Sequence, residues 1–181
     1  MLRKRVVLSD GSEVLLRLGE SQDFEMVWRM LSTLSEESLR FLPNPFIREE
    51  VEEMMANVDY EKLLPVVAVV EGKPSIQTRV VAIATLGFQV GVSRRHRAEF
   101  DIVVHDDLQG RGLGTILTQL MIEVARERGL KKVYLKTSTQ NVRALHVYEK
   151  VGYKIEGQLV MEYYHPILGE YGDQYRMAIL L

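Results

Sequence analysis

Residues 109–114 read Gln-Gly-Arg-Gly-Leu-Gly. They stand between an apolar run that reads as a strand, ending Ile102-Val103-Val104, and a periodic run that reads as a helix. Gly110, Gly112 and Gly114 remove every second Cβ from that junction. The first N–H groups of a helix lack partners within it and carry about half a positive charge. An anion such as a phosphate can settle there if no side chain blocks it, and Arg111 adds a cation beside it. Two nucleotide-binding patterns are excluded. A Walker A loop needs Gly-Lys followed by Ser or Thr, but Gly112 and Gly114 precede Leu113 and Thr115. A dinucleotide fingerprint needs glycine where Thr115 stands, and an acidic residue ending the strand Val133-Tyr134-Leu135-Lys136. A tight strand-to-helix turn with no ligand accounts for the glycines equally well.

The elements around this junction follow from periodicity. Val6-Val7-Leu8 and Val14-Leu15-Leu16 flank Ser9-Asp10-Gly11-Ser12, a hairpin with an Asp-Gly turn. Phe24, Val27, Trp28 and Leu31 recur at helical spacing, with Ser21 as the expected cap. Pro43 and Pro45 interrupt the chain before a second amphipathic helix, Arg48 to Asn57. Leu64 to Glu71 and Val80 to Phe88 read as strands joined by the loop Gly72-Lys73-Pro74-Ser75. A third strand covers Ala98 to Val104, after the polar turn Ser93-Arg94-Arg95-His96. The glycine turn opens a helix with Leu113, Ile116, Leu117, Leu120, Met121 and Val124 on one face, closed by Gly129. A short strand Lys132 to Lys136, a helix Asn141 to Lys150 stopped by Gly152, and strands Tyr153 to Tyr164 and Gln174 to Leu181 complete the order. The expected fold is one mixed α/β (α+β) domain, 1–181, a central β-sheet flanked by helices with hairpins at both ends.

Composition narrows the function classes. The chain has 181 residues, 46% hydrophobic, enough for one sizeable core. A net charge of −2 gives no global attraction to nucleic acid or anionic lipid. Cysteine is absent, so disulfides and thiolate metal sites are excluded. The four histidines form no His-Glu-x-x-His pattern, and no metal is expected. No apolar run reaches the ~18 residues of a membrane span, and the basic N-terminus is broken too early for a signal peptide. A soluble cytoplasmic protein is expected.

The Gln-x-x-Gly-x-Gly run (Gln109, Gly112, Gly114) resembles the acetyl-CoA-binding motif of the GNAT N-acetyltransferase superfamily. Ile102 to Asp107 is similar to the strand end that precedes that motif in the family. Asn141-Val142-Arg143-Ala144-Leu145-His146-Val147-Tyr148-Glu149-Lys150-Val151-Gly152-Tyr153 is similar to its Asn-x-x-Ala-x-x-x-Tyr-x-Lys-x-Gly-Phe block. The motifs lie in the family's order, with the core at about 98–153. The closing segment from Glu156 is similar to the family's final hairpin. More weakly, the opening Asp10-Gly11 segment and Leu34-Ser35-Glu36-Glu37-Ser38 resemble the Pat-like branch, which acetylates protein lysines.

The resemblance implies acetyl-CoA as cosubstrate and a primary amine as acceptor. A protein lysine or N-terminal amine is the first expectation. A small amine (polyamine, amino sugar or antibiotic) and a non-catalytic acetyl-CoA sensor are the alternatives, and a homodimer is compatible with it. It implies that Ile102, Val103 and Val104 hold the pantetheine arm through exposed backbone. Gln109, Gly110, Arg111, Gly112, Leu113, Gly114 and Thr115 would hold the pyrophosphate. A backbone N–H near Val103 would polarise the thioester carbonyl. Asn141 either bonds the pantetheine or simply caps its helix. Tyr148 lies seven residues on, about two turns, and so shares a face with Asn141. The resemblance makes it the acid that protonates the departing thiolate; packing in the core, beside Leu145, is the plainer role. For the base, Glu99 and Asp101 share one face of their strand, with His96 in the turn before it. Glu99 is the first choice, because the family often carries a glutamate there. Arg94-Arg95-His96-Arg97 can touch the CoA 3′-phosphate or an acidic partner, or stay a solvated turn. Asp106 and Asp107 read as loop residues rather than magnesium ligands.

Overall fold

In the computed structural model, residues 2–42, 46–72, 77–165 and 168–181 are described. Pro43, Pro45, Lys73, Pro74 and Ser75 lie outside them. The sheet begins with the hairpin β1 (Arg3–Val7) and β2 (Glu13–Leu18). Its turn closes through Leu8 N–H to the Ser12 carbonyl at 2.8 Å, with Gly11 at φ +84°. Strands β3 (Leu63–Val70), β4 (Arg79–Phe88) and β5 (Arg97–Val104) follow antiparallel. Then β6 (Lys132–Ser138) runs parallel to β5, and the hairpin β7 (Lys154–His165) and β8 (Glu170–Leu180) closes the sheet. The order is β1-β2-β3-β4-β5-β6-β8-β7, a single mixed sheet of eight strands. The α+β class expected from the sequence holds.

Two layers cover the sheet because its strands alternate. Ala98 and Phe100 of β5, and Val133 and Leu135 of β6, point to one face. There they pack against α4 (Leu113–Glu127), through Leu113, Leu117 and Met121, and against Tyr148 of α5 (Val142–Lys150). On the other face, Val67, Val69, Val80 and Ile83 bury Val27, Met30 and Leu31 of α1 (Phe24–Ser32) and Val51 and Met55 of α3 (Arg48–Ala56). Ser21 does not cap α1. It begins a 3-10 turn, Ser21–Asp23, closed by a reciprocal capping box between Glu20 and Asp23. The Asp23 carboxylate, fully buried, binds Arg17 in a fork of two 2.6 Å bonds. A short helix α2 (Glu36–Leu39), too brief to show periodicity, follows α1 with Ser35 as its cap.

One departure from regular pairing shapes the molecule. Strands β5 and β6 are in register only at Arg97–Lys132, Ala98–Val133 and Glu99–Tyr134. Beyond Glu99 they part, while β5 stays paired to β4 as far as Val104. The sheet therefore opens in its middle.

Candidate active site

The opening leads into a cleft of about 740 Å³. Its walls come from the end of β5, the turn before α4, the first turns of α4 and α5, and the α1–α2 segment. Ile102, Val103, Val104, Gln109, Gly110, Gly112, Gly114, Thr115, Asn141 and Tyr148 all line it. Residues far apart in sequence are thus brought to one groove, at the volume of a ligand cleft.

The glycine turn does what the backbone needs at a helix start. Gly112 is the N-cap residue of α4, at φ +89° and ψ −7°, with no side-chain cap. Gly110 is also left-handed, at φ +72°, and a Cβ at either position would meet nothing within 4 Å. The six consecutive N–H groups from Gly110 to Thr115 have no hydrogen-bond partner among the described residues; the first bonded one is Ile116, to Gly112 at 3.1 Å. Leu113 is itself fully buried and is not among the residues lining the cleft. The Arg111 guanidinium, expected beside the anion, is instead held by Asp10 of the β1–β2 turn, and its carbonyl accepts from Ser9 N–H at 3.2 Å. The hairpin thereby braces the glycine turn.

Backbone direction along β5 corrects one expectation. His105 N–H donates to Val81 of β4 at 2.9 Å, so the odd residues of β5 turn their polar groups to β4. Ile102 and Val104 turn theirs to the open side, and the Val104 carbonyl there accepts from Gln109 Nε2 at 2.9 Å. The amide N–H groups facing the cleft are those of Ile102 and Val104, not of Val103.

A polar clamp joins the two walls. The Asp106 carboxylate accepts from Ser35 N–H at 2.8 Å, Ser35 Oγ at 2.7 Å and Ser38 Oγ at 2.6 Å. Desolvation pushes its pKa up, but these bonds outweigh it and hold the carboxyl at about 2. Gln109 Nε2 also reaches Ser38 Oγ at 3.0 Å, and Arg143 donates to Gln109 Oε1. The Leu34–Ser38 motif is therefore an anchor onto the glycine turn. The pair of serines three apart was its only sequence signal. Asp107, its neighbour, pairs with Arg79 at 2.9 Å.

Asn141 caps α5 by accepting from Ala144 N–H at 3.1 Å, which leaves its amide NH2 free to donate. Tyr148 packs edge-on to Phe100, with ring centres 6.3 Å apart, and 5.8 Å from Tyr153. Its hydroxyl has no hydrogen-bond partner among the described residues. Burial, and then the charge of Asp101, push its pKa well up, so the phenol stays protonated.

The acid pair divides differently from the sequence reading. Neither Glu99, the first choice for a base, nor Asp101 is among the residues lining the cleft, and Glu99 Oε2 accepts from the Tyr134 hydroxyl at 3.1 Å. Asp101 stands on the same face, one step further along β5, where the strands have parted. Desolvation by the surrounding protein and the charge of Glu99 push its carboxyl up to about 6, against Lys136, although solvent still reaches it. His96 stays exposed in the turn at the opposite end of β5 from the cleft. Among the described residues no three His, Cys, Asp or Glu side chains are grouped to hold a metal ion, and no helix is long and apolar enough to cross a membrane.

Residues 30–153 match the acetyltransferase (GNAT) family. Over 84 residues the chain is 37% identical to the spermidine N(1)-acetyltransferase of Escherichia coli K12, covering 46% of this chain and 44% of that protein. The match thus spans less than half the length of that relative. The L-amino acid N-acetyltransferase AaaT of the same organism is 30% identical over 169 residues, 92% of this chain and 98% of that protein. The fold is that of the GNAT domain of S. lividans PAT, with a TM-score of 0.79 at 21% identity over 99% of this chain and 97% of that one.

Proposed function

Because the chain belongs to the acetyltransferase (GNAT) family, we propose that it transfers the acetyl group of acetyl-CoA to the primary amine of a small molecule. One observation carries the reading: the unpartnered amides of Gly110, Gly112, Gly114 and Thr115, an open strand edge and an unbonded phenol line a single cleft. The residues fit acetyl-CoA. The amides from Gly110 to Thr115, at the start of α4, suit its pyrophosphate. Ile102 and Val104 offer the arm the bonds that β6 would otherwise take. When bound, acetyl-CoA supplies a thioester whose carbonyl carbon is open to attack and whose sulfur departs.

The roles of the side chains follow from charge. The Ile102 or Val104 N–H donates to the carbonyl oxygen as negative charge gathers on it. Tyr148 keeps its proton and donates a hydrogen bond where the sulfur becomes negative. A free alkyl amine of pKa near 10.4 is neutral in only about one molecule per thousand at pH 7.4, equivalent to roughly 4 kcal/mol. Asp101, ionised above about pH 6, attracts the ammonium and takes up its proton directly or through water. Glu99, bound to Tyr134, strengthens the local negative field rather than acting first. Holding amine and thioester together contributes the largest share, on the order of 7–11 kcal/mol for well-oriented pairs.

A small acceptor has more support than a protein lysine. The relatives named above act on spermidine and on L-amino acids, and the likeness to the PAT domain, at 21% identity, is one of fold alone. The serines that suggested the Pat-like branch are used internally, on Asp106. The test supplies labelled acetyl-CoA to the protein in a cell lysate and separates macromolecules from metabolites. Label among small molecules, appearing more slowly with Tyr148→Phe, is expected; label confined to protein bands would overturn the choice of acceptor.

A further inference from the structure

The sheet face that carries Glu99 and Asp101 continues across β6 and β8 with Tyr134, Lys136 and Arg176, opposite the face covered by α4 and α5. Tyr134 is only 7% exposed, because two guanidinium groups lie over its ring. Arg97 Cζ is 5.2 Å and Arg176 Cζ 4.7 Å from the ring centre. The other charges here are largely spoken for. Lys132 binds Glu156, Lys136 binds Glu162 at 3.0 Å, and Glu99 accepts from the Tyr134 hydroxyl. Arg97 and Arg176 make no side-chain hydrogen bond with any described residue. The nearest carboxylate oxygen, of Glu156, stands 3.5 Å from Arg176 Nε. Their two Nε atoms are the buried side-chain polar atoms that lack a hydrogen-bond partner among the described residues.

Buried donors without acceptors are unfavourable, and two like charges over one ring repel. The repulsion is offset by an anion with two oxygens at the part of the guanidinium pair that solvent reaches, the Arg176 side chain being 35% exposed. A guanidinium stacked on an aromatic ring is already oriented, and its fork matches a carboxylate. The position is also telling. Tyr134 pairs with Glu99 at the last β5–β6 step before the opening, and Asp101 stands one same-face step beyond, about 7 Å along the strand. An ammonium at Asp101 and an anion at the guanidinium pair are thus separated by the length of a small molecule.

Resting on the transfer reading above, we infer that Arg97 and Arg176 form a binding site for a carboxylate on the acceptor, so that the substrate is an amine that is also an acid, an amino acid or a close analogue. A polyamine would set further positive charge against the same two guanidiniums. The step catalysed is unchanged: a C–N bond forms, the C–S bond breaks, and the amine proton leaves by way of Asp101.

The test measures CoA thiol release at saturating acetyl-CoA with the twenty L-amino acids, the carboxamide of each, and spermidine. For the best amino acid, kcat/KM is expected to exceed that of its amide at least tenfold, through KM. Arg97→Gln and Arg176→Gln should each raise KM for the acid about tenfold. They should leave KM for the amide and the calorimetric Kd for CoA unchanged, while a thermal melt registers the lost cover over Tyr134. Arg176→Lys, which keeps the charge and loses the fork, should fall between. Calorimetry of the best amino acid on CoA-loaded protein should show the same loss in both Gln variants. Amides or spermidine used as well as the acids, or a preference that survives both Gln variants, would overturn this site while leaving amine transfer intact. CoA binding without turnover of any amine would instead remove the transfer reading, and this inference with it.

Discussion

Replacing Tyr148 by phenylalanine removes one hydroxyl and little else. The ring keeps its edge-on contact with Phe100 and its neighbour Tyr153. The hydroxyl has no hydrogen-bond partner among the described residues, so folding loses no bond, and stability should stay within about 0.5 kcal/mol of the parent. If the hydroxyl donates to a sulfur that becomes negative, it supplies a hydrogen bond to a charged group, about 1.5–3 kcal/mol. That corresponds to a fall in kcat of roughly 10- to 150-fold. Because burial keeps the phenol protonated, the fall should be uniform from pH 6 to 9 rather than a displaced limb. The assay is thiol release at saturating acetyl-CoA and amine, beside calorimetry with CoA and a thermal melt. A kcat within twofold of the parent refutes the role. A matching loss of CoA affinity or melting temperature would assign the effect to packing.

Three further outcomes are expected. Asp101→Asn should remove the rise in activity through about pH 6. Since the folded carboxyl titrates higher than the unfolded one, its contribution to stability is full below pH 3.8 and lost as pH rises through 6. The variant should therefore be the more stable protein at pH 8 and lose that advantage by pH 4 in urea melts. Asp106→Asn should cost about 1–3 kcal/mol by weakening the bonds from Ser35 and Ser38. In the parent the opposite linkage holds, with the Asp106 contribution present above pH 3.8 and lost as pH falls through 2. A variant whose melting was unchanged across that range would exclude the clamp. Gly112→Ala meets no neighbour within 4 Å, so its cost is the left-handed backbone, about 1–2 kcal/mol. CoA affinity should fall as the amides turn, which calorimetry would detect.

Much of the site was legible because it is written locally. Three glycines before a periodic helix, and an asparagine seven residues before a tyrosine, keep their meaning in one dimension. Strand order was less legible, since the β5–β6 opening depends on where pairing stops. Alternation puts Glu99 and Asp101 on one face, and only the end of the ladder at Glu99 sets them apart. Of Ile102, Val103 and Val104, all read as exposed backbone, Val103 turns its polar groups to β4, which a single bond from His105 to Val81 decides. Ser21 gave way as a cap because Glu20 and Asp23 satisfy each other. Arg97 read as part of a solvated turn. Its stacking on Tyr134, and the company of Arg176, join residues up to 79 apart, and no local pattern carries that.

The three-pair seam between β5 and β6 also bears on how long the molecule lasts. Two strand edges face each other inside the sheet and wait for a partner that the chain does not provide. A ligand that bonds along one of them stabilises the folded state in proportion to the logarithm of its concentration. Of the adjacent strand pairs this one has the fewest paired positions, so a ligand bonded along it should slow hydrogen exchange and proteolysis there.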